Sequence, residues 1–264
     1  MIKELNHIGI LSTDIEKSID FYANILGAEI VRDATSPDGK SRFVYLQIVD
    51  GIIELIQSGD PASAGLAHIA FILDDNVSID DAYDKLSGMG YEFTVLPKVA
   101  ASGDGKLAFF KDSSNCVFEI LERKTPVRES FKNPHILEFD HLSVQIFDAC
   151  ANQCDQFYLG IMGFKVRKIM QKDNFKMCYY SHGKDTLETL HSIGGDVPSK
   201  ALQHLAFRVA DVSKIKGYLV SKGIECPNPI KQSSFGGFNI LNIVGPDGVA
   251  IEFVDRPALE NYDV

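Results

Sequence analysis

The chain has 264 residues, 45% of them hydrophobic, enough for one large domain or two of ordinary size with their own cores. A formal net charge of −10 argues against general affinity for nucleic acid or an anionic membrane and makes a small-molecule substrate the expected partner. The sequence opens without a basic stretch leading into an apolar run, and no later run approaches a membrane span, so a cytoplasmic protein without a membrane partner is expected. Five cysteines with no C-x-x-C spacing make no disulfide framework, and reduced thiols are expected.

In chain order, Asn6-His7-Ile8-Gly9-Ile10 reads as a strand. Thr13-Asp14-Ile15-Glu16 then has the spacing of a capping box, and Ile15, Ile19, Tyr22 and Leu26 recur at helical spacing up to Gly27. Phe43 to Ile48 and Ile52 to Ile56 alternate as antiparallel strands. Ala67-His68-Ile69-Ala70-Phe71 starts the pattern again, followed by a helix from Ser78 with Ile79, Tyr83 and Leu86 on its buried face and Gly88 and Gly90 at its end. Each module is therefore a strand, a helix and three strands.

Glu122 to Leu137 carries Arg123, Lys124, Pro126, Arg128 and Pro134 with little periodicity and reads as a linker. Beyond it the first half recurs. Phe139-Asp140-His141-Leu142 leads to a helix reaching Phe157-Tyr158 and Gly163, and Gln203-His204-Leu205 leads to a helix built on Val212, Ile215 and Leu219 and stopped at Gly223. The expected fold is α+β: four βαβββ modules in two tandem cup-shaped domains, 1–122 and 138–264, joined by a linker over 123–137.

The order His, Glu, His, Glu occurs in both halves, as His7, Glu54, His68, Glu119 and as His141, Glu188, His204, Glu252, with 47 residues from first His to first Glu each time. A lone strand histidine is ordinarily structural, but eight matched residues form a metal-ligand pattern. Imidazole and carboxylate together suit divalent Zn, Ni, Co, Mn or Fe, and a set without thiolate leaves room for water or substrate oxygens. Alternation sets His7 with Leu5 and Gly9, facing away from the helix, and the other histidines and Glu54, Glu119 and Glu252 on the same side of their strands. If each domain curls into a cup, all eight residues reach a concave floor. Glu188 lies in a more polar strand, where His191 competes as a ligand, but alternation turns His191 away. Duplication gives either two working sites or one site and a relic.

These motifs, with Phe109-Phe110-Lys111-Asp112 and Gly245-Pro246-Asp247-Gly248 before the last Glu of each half, closely resemble the vicinal oxygen chelate superfamily over nearly the whole chain. That superfamily includes glyoxalase I, methylmalonyl-CoA epimerase, extradiol ring-cleaving dioxygenases and the bleomycin and fosfomycin resistance proteins. The resemblance implies a glyoxalase-like cup with its own metal site in each domain, in which Glu54, Glu119, Glu188 and Glu252 are both ligands and candidate catalytic bases. Because family sites often span a dimer, a homodimer is one expected assembly.

The favoured activity is proton transfer beside a carbonyl, as in the glyoxalase-type lyase, isomerase and epimerase branches. A ring-cleaving dioxygenase and a drug-sequestering resistance protein are the alternatives. Glutathione contacts are in doubt, since Leu11 and Ser58, and then Gln145 and Ser192, stand where compact glyoxalase I enzymes carry Arg and Asn. Ring cleavage is disfavoured because Phe109 and Ala100, and then Asn242 and Ser233, stand at the Tyr and His positions of that branch. Gln145 and Arg208, four residues beyond the second-half histidines, are candidate substrate contacts, with a plain salt bridge as the competing role for Arg208. The glycine-bearing stretches 100–106 and 232–238 are expected at the cup mouth, where they form either mobile covers or plain hairpins.

Overall fold

The computed structural model describes residues 1–101, 105–123, 131–172, 175–192, 200–233 and 236–258. The central part of the expected linker, 124–130, and the expected loop residues 102–104 and 234–235 lie outside these.

Four βαβββ modules follow one another. The first has β1 (Ile2–Ser12), α1 (Ile15–Ile19), β2 (Glu29–Thr35), β3 (Arg42–Ile48) and β4 (Gly51–Gln57); the second has β5 (Gly65–Leu73), α2 (Ile79–Gly88), β6 (Glu92–Val99), β7 (Lys106–Lys111) and β8 (Val117–Glu122). The third has β9 (Ile136–Phe147), α3 (Ala151–Asp155), β10 (Lys165–Lys172), β11 (Phe175–His182) and β12 (Asp185–Ser192). The fourth has β13 (Leu202–Val209), α4 (Val212–Ser221), β14 (Lys231–Gln232), β15 (Asn239–Val244) and β16 (Ala250–Val254).

Paired modules make two eight-stranded sheets, ordered β2-β3-β4-β1-β5-β8-β7-β6 and β10-β11-β12-β9-β13-β16-β15-β14. The opening strands of the two modules lie antiparallel at each centre, and each is flanked by the parallel last strand of its own module. All four His-bearing strands are therefore central, and all four Glu-bearing strands are their immediate neighbours.

Local chemistry differs from the sequence reading at two points. The N-cap of α1 is Asp14, whose side chain accepts from the Lys17 amide; Thr13 instead donates its amide and hydroxyl to Asp247. After Ile19 the helix widens into a π-helical turn over Asp20–Ile25, and Gln156–Ile161 repeats this after α3. The widened turn brings adjacent aromatics, Phe21 with Tyr22 and Phe157 with Tyr158, into the core together, which the regular helical spacing did not anticipate.

Each half clasps the helix of the other. Asp247, before β16, accepts from Ser18 and Thr13, while Asp112, before β8, accepts from Tyr158 Oη. Phe110 and Phe118 stack near Phe157, so one hydrophobic core runs through both halves and lies on the side of the sheets opposite the histidines. None of the helices among the described residues is long and apolar enough to cross a membrane.

Candidate metal centres

Register brings the ligand candidates into two adjacent rows across each sheet. In the first half, Tyr45 pairs with Glu54, Glu54 with Gly9, and Gly9 with His68; in the next row, His7 pairs with Ala70, Ala70 with Glu119, and Glu119 with Phe109. Small residues at the crossings, Gly9 and Ala70, leave the space into which the larger side chains converge. The second half repeats the rows as Tyr179, Glu188, Ser143, His204 and as His141, Ala206, Glu252, Asn242.

His7 Nε2 lies 3.2 Å from His68 Nε2 and 3.1 Å from both Glu54 Oε2 and Glu119 Oε2. His68 Nε2 is 3.6 Å from Glu54 and 3.3 Å from Glu119, and all four residues are buried. In the second half, His141 and His204 Nε2 are 3.1 Å apart, and Glu188 Oε2 lies 3.6 and 3.5 Å from them. These seven residues make two groups in which every donor atom lies within 4.8 Å of the others.

Glu252 stands apart from the second group, 4.0 Å from His141. One difference in the rows accompanies this looser arrangement. A Cβ built on Gly9 would meet the His68 ring at 2.0 Å, whereas Ser143 carries a Cβ at that position, and His204 is the more exposed of the two histidines.

The electrostatics suit a cation. Burial works against a charged His7, but the carboxylates of Glu54 and Glu119 outweigh it and raise its pKa to about 9. His141 is likewise buried, and Glu188 and Asp140 lift it to about 10. Glu119 and Glu188 are held well below the usual carboxylate range because the facing imidazoles outweigh their own burial. For Glu252 burial prevails over His141 and pushes it up to about 7. His204 is lowered to about 4 by burial, which Glu188 only partly offsets.

The donor set fits a divalent ion. Asp140 Oδ1 lies 2.6 Å from His141 Nδ1, which makes Nδ1 the protonated nitrogen of the neutral ring and turns the Nε2 lone pair toward the other ligands; Asn6 Oδ1 does the same for His7 at 2.8 Å. Four oxygen and nitrogen lone-pair donors meeting in the first cup, and three with a fourth close by in the second, suit the metals expected from the residue types.

Sequence reasoning missed the residues that surround these candidate ligands. Asn6 and Asp140 each precede the first His. Tyr45 and Tyr179 stand nine before Glu54 and Glu188 and lie edge-on to His7 and His141, with Tyr179 Oη donating to Glu188 at 2.9 Å. Arg123 and Arg256 stand four after Glu119 and Glu252, and Arg256 hydrogen-bonds Asp140. The signal was the duplication itself, since each pair recurs at one offset in both halves.

Alternation failed at Leu5, because β1 has a register shift between Leu5 and His7 that sends Leu5 into the main core instead of the cup. His191 bonds Thr189 at 3.1 Å and stays out of the ligand group. Of the candidate substrate contacts, Gln145 Nε2 donates to Leu190 O and Ser192 Oγ, both at 2.8 Å, and Arg208 forks onto Glu138, the salt bridge that its sequence position equally allowed.

The chain belongs to the glyoxalase/bleomycin resistance protein/dioxygenase superfamily, whose family model matches residues 4–120 and 139–253. It is 34% identical over 105 residues to the uncharacterized protein YwbC of Bacillus subtilis, covering 37% of this chain and 83% of that one. It is 27% identical over 128 residues to lactoylglutathione lyase of Escherichia coli O157:H7, covering 46% and 93%. Among solved structures, the fold resembles a mutant homoprotocatechuate 2,3-dioxygenase from Brevibacterium fuscum, with a TM-score of 0.72, 18% identity, and coverage of 97% of this chain and 72% of that one.

Proposed function

We propose that the protein is a divalent-metal-dependent lyase, isomerase or epimerase of the glyoxalase type, moving a proton on carbon next to a carbonyl of a small vicinal-oxygen substrate. The observation that carries this reading is the convergence of His7, Glu54, His68 and Glu119, repeated by His141, Glu188 and His204 with Glu252 beside them. The ion, when bound, supplies Lewis-acid stabilisation of negative charge developing on substrate oxygens. The chain's own part is to orient the imidazoles through Asn6 and Asp140 and to take the proton on a carboxylate. Glu252, outside the tight group and 4.0 Å from His141, is our candidate base in the second cup.

A second reading has its own support. With Glu252 set back, His141, His204 and Glu188 form a two-histidine, one-carboxylate set of the kind that serves iron-dependent oxygen chemistry. Asn242 and Ser233, standing where ring-cleaving relatives have Tyr and His, argue against it. Elemental analysis of the purified chain beside His7→Ala and His141→Ala tests the main reading. Two ions per chain, falling to one in each variant, support it, and none after loading with Zn, Ni, Co, Mn or Fe refutes it. Oxygen consumption by the iron-loaded chain separates the two chemistries.

A further inference from the structure

A polar pocket of about 210 Å³ lies where the two halves meet, and none of the eight candidate ligands lines it. Asp50, in the turn between β3 and β4, comes from the first half; every other residue lining the pocket comes from the second. The volume is the liquid share of roughly seven waters, enough for a small polar molecule and too little for a drug-sized body.

Arg167 points this pocket toward a ligand. In the β10–β11 ladder Val166 pairs with Tyr180 and Lys168 with Tyr179, so Arg167 is an extra, unpaired bulge residue on an edge strand. A bulge re-aims its side chain, and here the half-buried Arg167 lines the pocket with its Nε buried and without a hydrogen-bond partner. Among the described residues it makes no ion pair. The exposed Lys184 and two hydroxyl residues, Ser181 and Thr186, share the lining.

The three carboxylates that border the pocket are not equivalent. Arg208 forks onto Glu138, and Asp140 Oδ1 is taken by His141 and Arg256. Asp50 uses Oδ1 to accept from the Phe139 amide at 2.9 Å and, among the described residues, makes no ion pair. An arginine from one half and an aspartate from the other thus border one pocket without pairing. Opposite charges held apart in this way are complemented by a ligand that carries both.

The duplication supplies an internal comparison. β2 has the same bulge, between Ile30 and Arg32, but its extra residue is Val31. At the offset that relates Tyr45 to Tyr179 and Glu54 to Glu188, Gln47 stands for Ser181 and Ile52 for Thr186. Both halves share the backbone device, whereas this polar lining belongs to the second.

We propose that the pocket binds a small acidic α-amino acid, with its α-carboxylate on Arg167, its ammonium on Asp50 and its second carboxylate at Lys184. The charges match. With Glu138 and Asp140 already paired, two cations face one anion, and such a ligand carries two carboxylates and one ammonium. The assignment does not rest on the metal reading, because no candidate metal ligand lines the pocket.

The test is calorimetric titration of the full chain after dialysis against EDTA, so that no metal ion chelates the probes. L-Glutamate is compared with glutarate, which lacks the ammonium, and with 4-aminobutyrate, which lacks the α-carboxylate. L-Glutamate should bind at least ~10-fold more tightly than either, as expected for one charge-assisted contact. Asp50→Asn keeps an oxygen for the Phe139 amide and should bring glutamate down to the level of glutarate, while Arg167→Met should bring it to the level of 4-aminobutyrate. His204→Ala, which alters the second metal centre but not this pocket, should leave glutamate affinity unchanged. Glutamate that does not bind, binds no better than glutarate, or keeps its affinity in Arg167→Met overturns the proposal. Loss of binding in His204→Ala does the same, because it places the ligand in the cup. Metal content is measured separately, so failure here leaves the metal reading standing.

Discussion

Gly9 stands across the β1–β5 ladder from His68 so closely that a Cβ at position 9 would lie 2.0 Å from the imidazole Cε1. No real Cβ contact is that short, so the His68 ring occupies volume that exists only because residue 9 has no side chain. The glycine requirement here is one of space, and its equivalent in the second half, Ser143, shows the alternative in the same fold.

Gly9→Ala should therefore displace His68 while the strand still forms. The expected outcome is a fall in metal affinity at the first centre of roughly 10–100-fold, the size seen when groups that orient ligands are disturbed. The second centre should be unaffected, because Ser143 and His204 belong to a different sheet. Zinc titration by calorimetry with a His141→Ala background isolates the first centre, and unchanged affinity there would contradict the steric account.

The two last glutamates should behave differently. Glu119 lies 3.1 and 3.3 Å from the two histidines, whereas Glu252 is 4.0 Å from His141. Glu119→Gln should release the first ion on dialysis. Glu252→Gln should retain the second ion while activity at that centre falls by at least ~100-fold, the usual contribution of a positioned acid or base. Loss of the second ion in Glu252→Gln would make that residue a ligand of the same standing as Glu119.

Metal uptake should be coupled to proton release. In the metal-free chain the pKa of His7 is raised to about 9 and that of His141 to about 10, so both carry a proton at neutral pH and lack the lone pair a metal needs. Raising the pH removes the competing proton, so affinity at the first centre should climb about tenfold per pH unit toward 9 and then flatten. The same raised pKa contributes stability to the metal-free fold that is fully present below about 6.5 and lost as pH rises through 9. Calorimetry at pH 7 in buffers of different ionisation enthalpy should show close to one proton released per ion at each centre. No proton release would mean that His7 and His141 are already neutral in the metal-free protein.

The modules and the convergence of the His and Glu side chains were legible because strand alternation and internal duplication are properties of the chain read locally. His7 to Glu54 and His141 to Glu188 both span 47 residues, which requires the intervening helix and strands to match in total length, so the repeat carried tertiary information. What escaped was whatever local periodicity does not encode. The register shift in β1 moved Leu5 to the core, the π-helical turn added Phe21 and Phe157 to it, and the clasp of Asp247 on Thr13 joins residues 234 positions apart. The partners of Gln145 and Arg208 depended on neighbouring strands whose pairing partners a linear pattern does not name. Tyr45 and Tyr179 were within reach, since both sit nine residues before a candidate ligand glutamate, but an aromatic in a strand looks like core until the ladder places it opposite that glutamate and edge-on to a histidine.

The buried chain Arg256–Asp140–His141 makes the last prediction. Asp140 Oδ1 accepts from His141 Nδ1 at 2.6 Å and from Arg256, while the corresponding residue in the first half is the neutral Asn6. A carboxylate there strengthens the donor power of the imidazole and fixes its tautomer, so Asp140→Asn should weaken metal binding at the second centre by roughly 10–100-fold. It should also destabilise the fold, because Arg256 is 3% exposed and loses its ionic partner, a change that costs on the order of 3 kcal/mol. Both effects should be absent from Asn6→Asp, which adds a carboxylate beside His7 and should tighten the first centre. Chemical denaturation and zinc titration of the two variants read the two effects separately. If Asp140→Asn lowers stability but leaves second-centre affinity intact, Asp140 serves the fold through Arg256 and not the metal through His141.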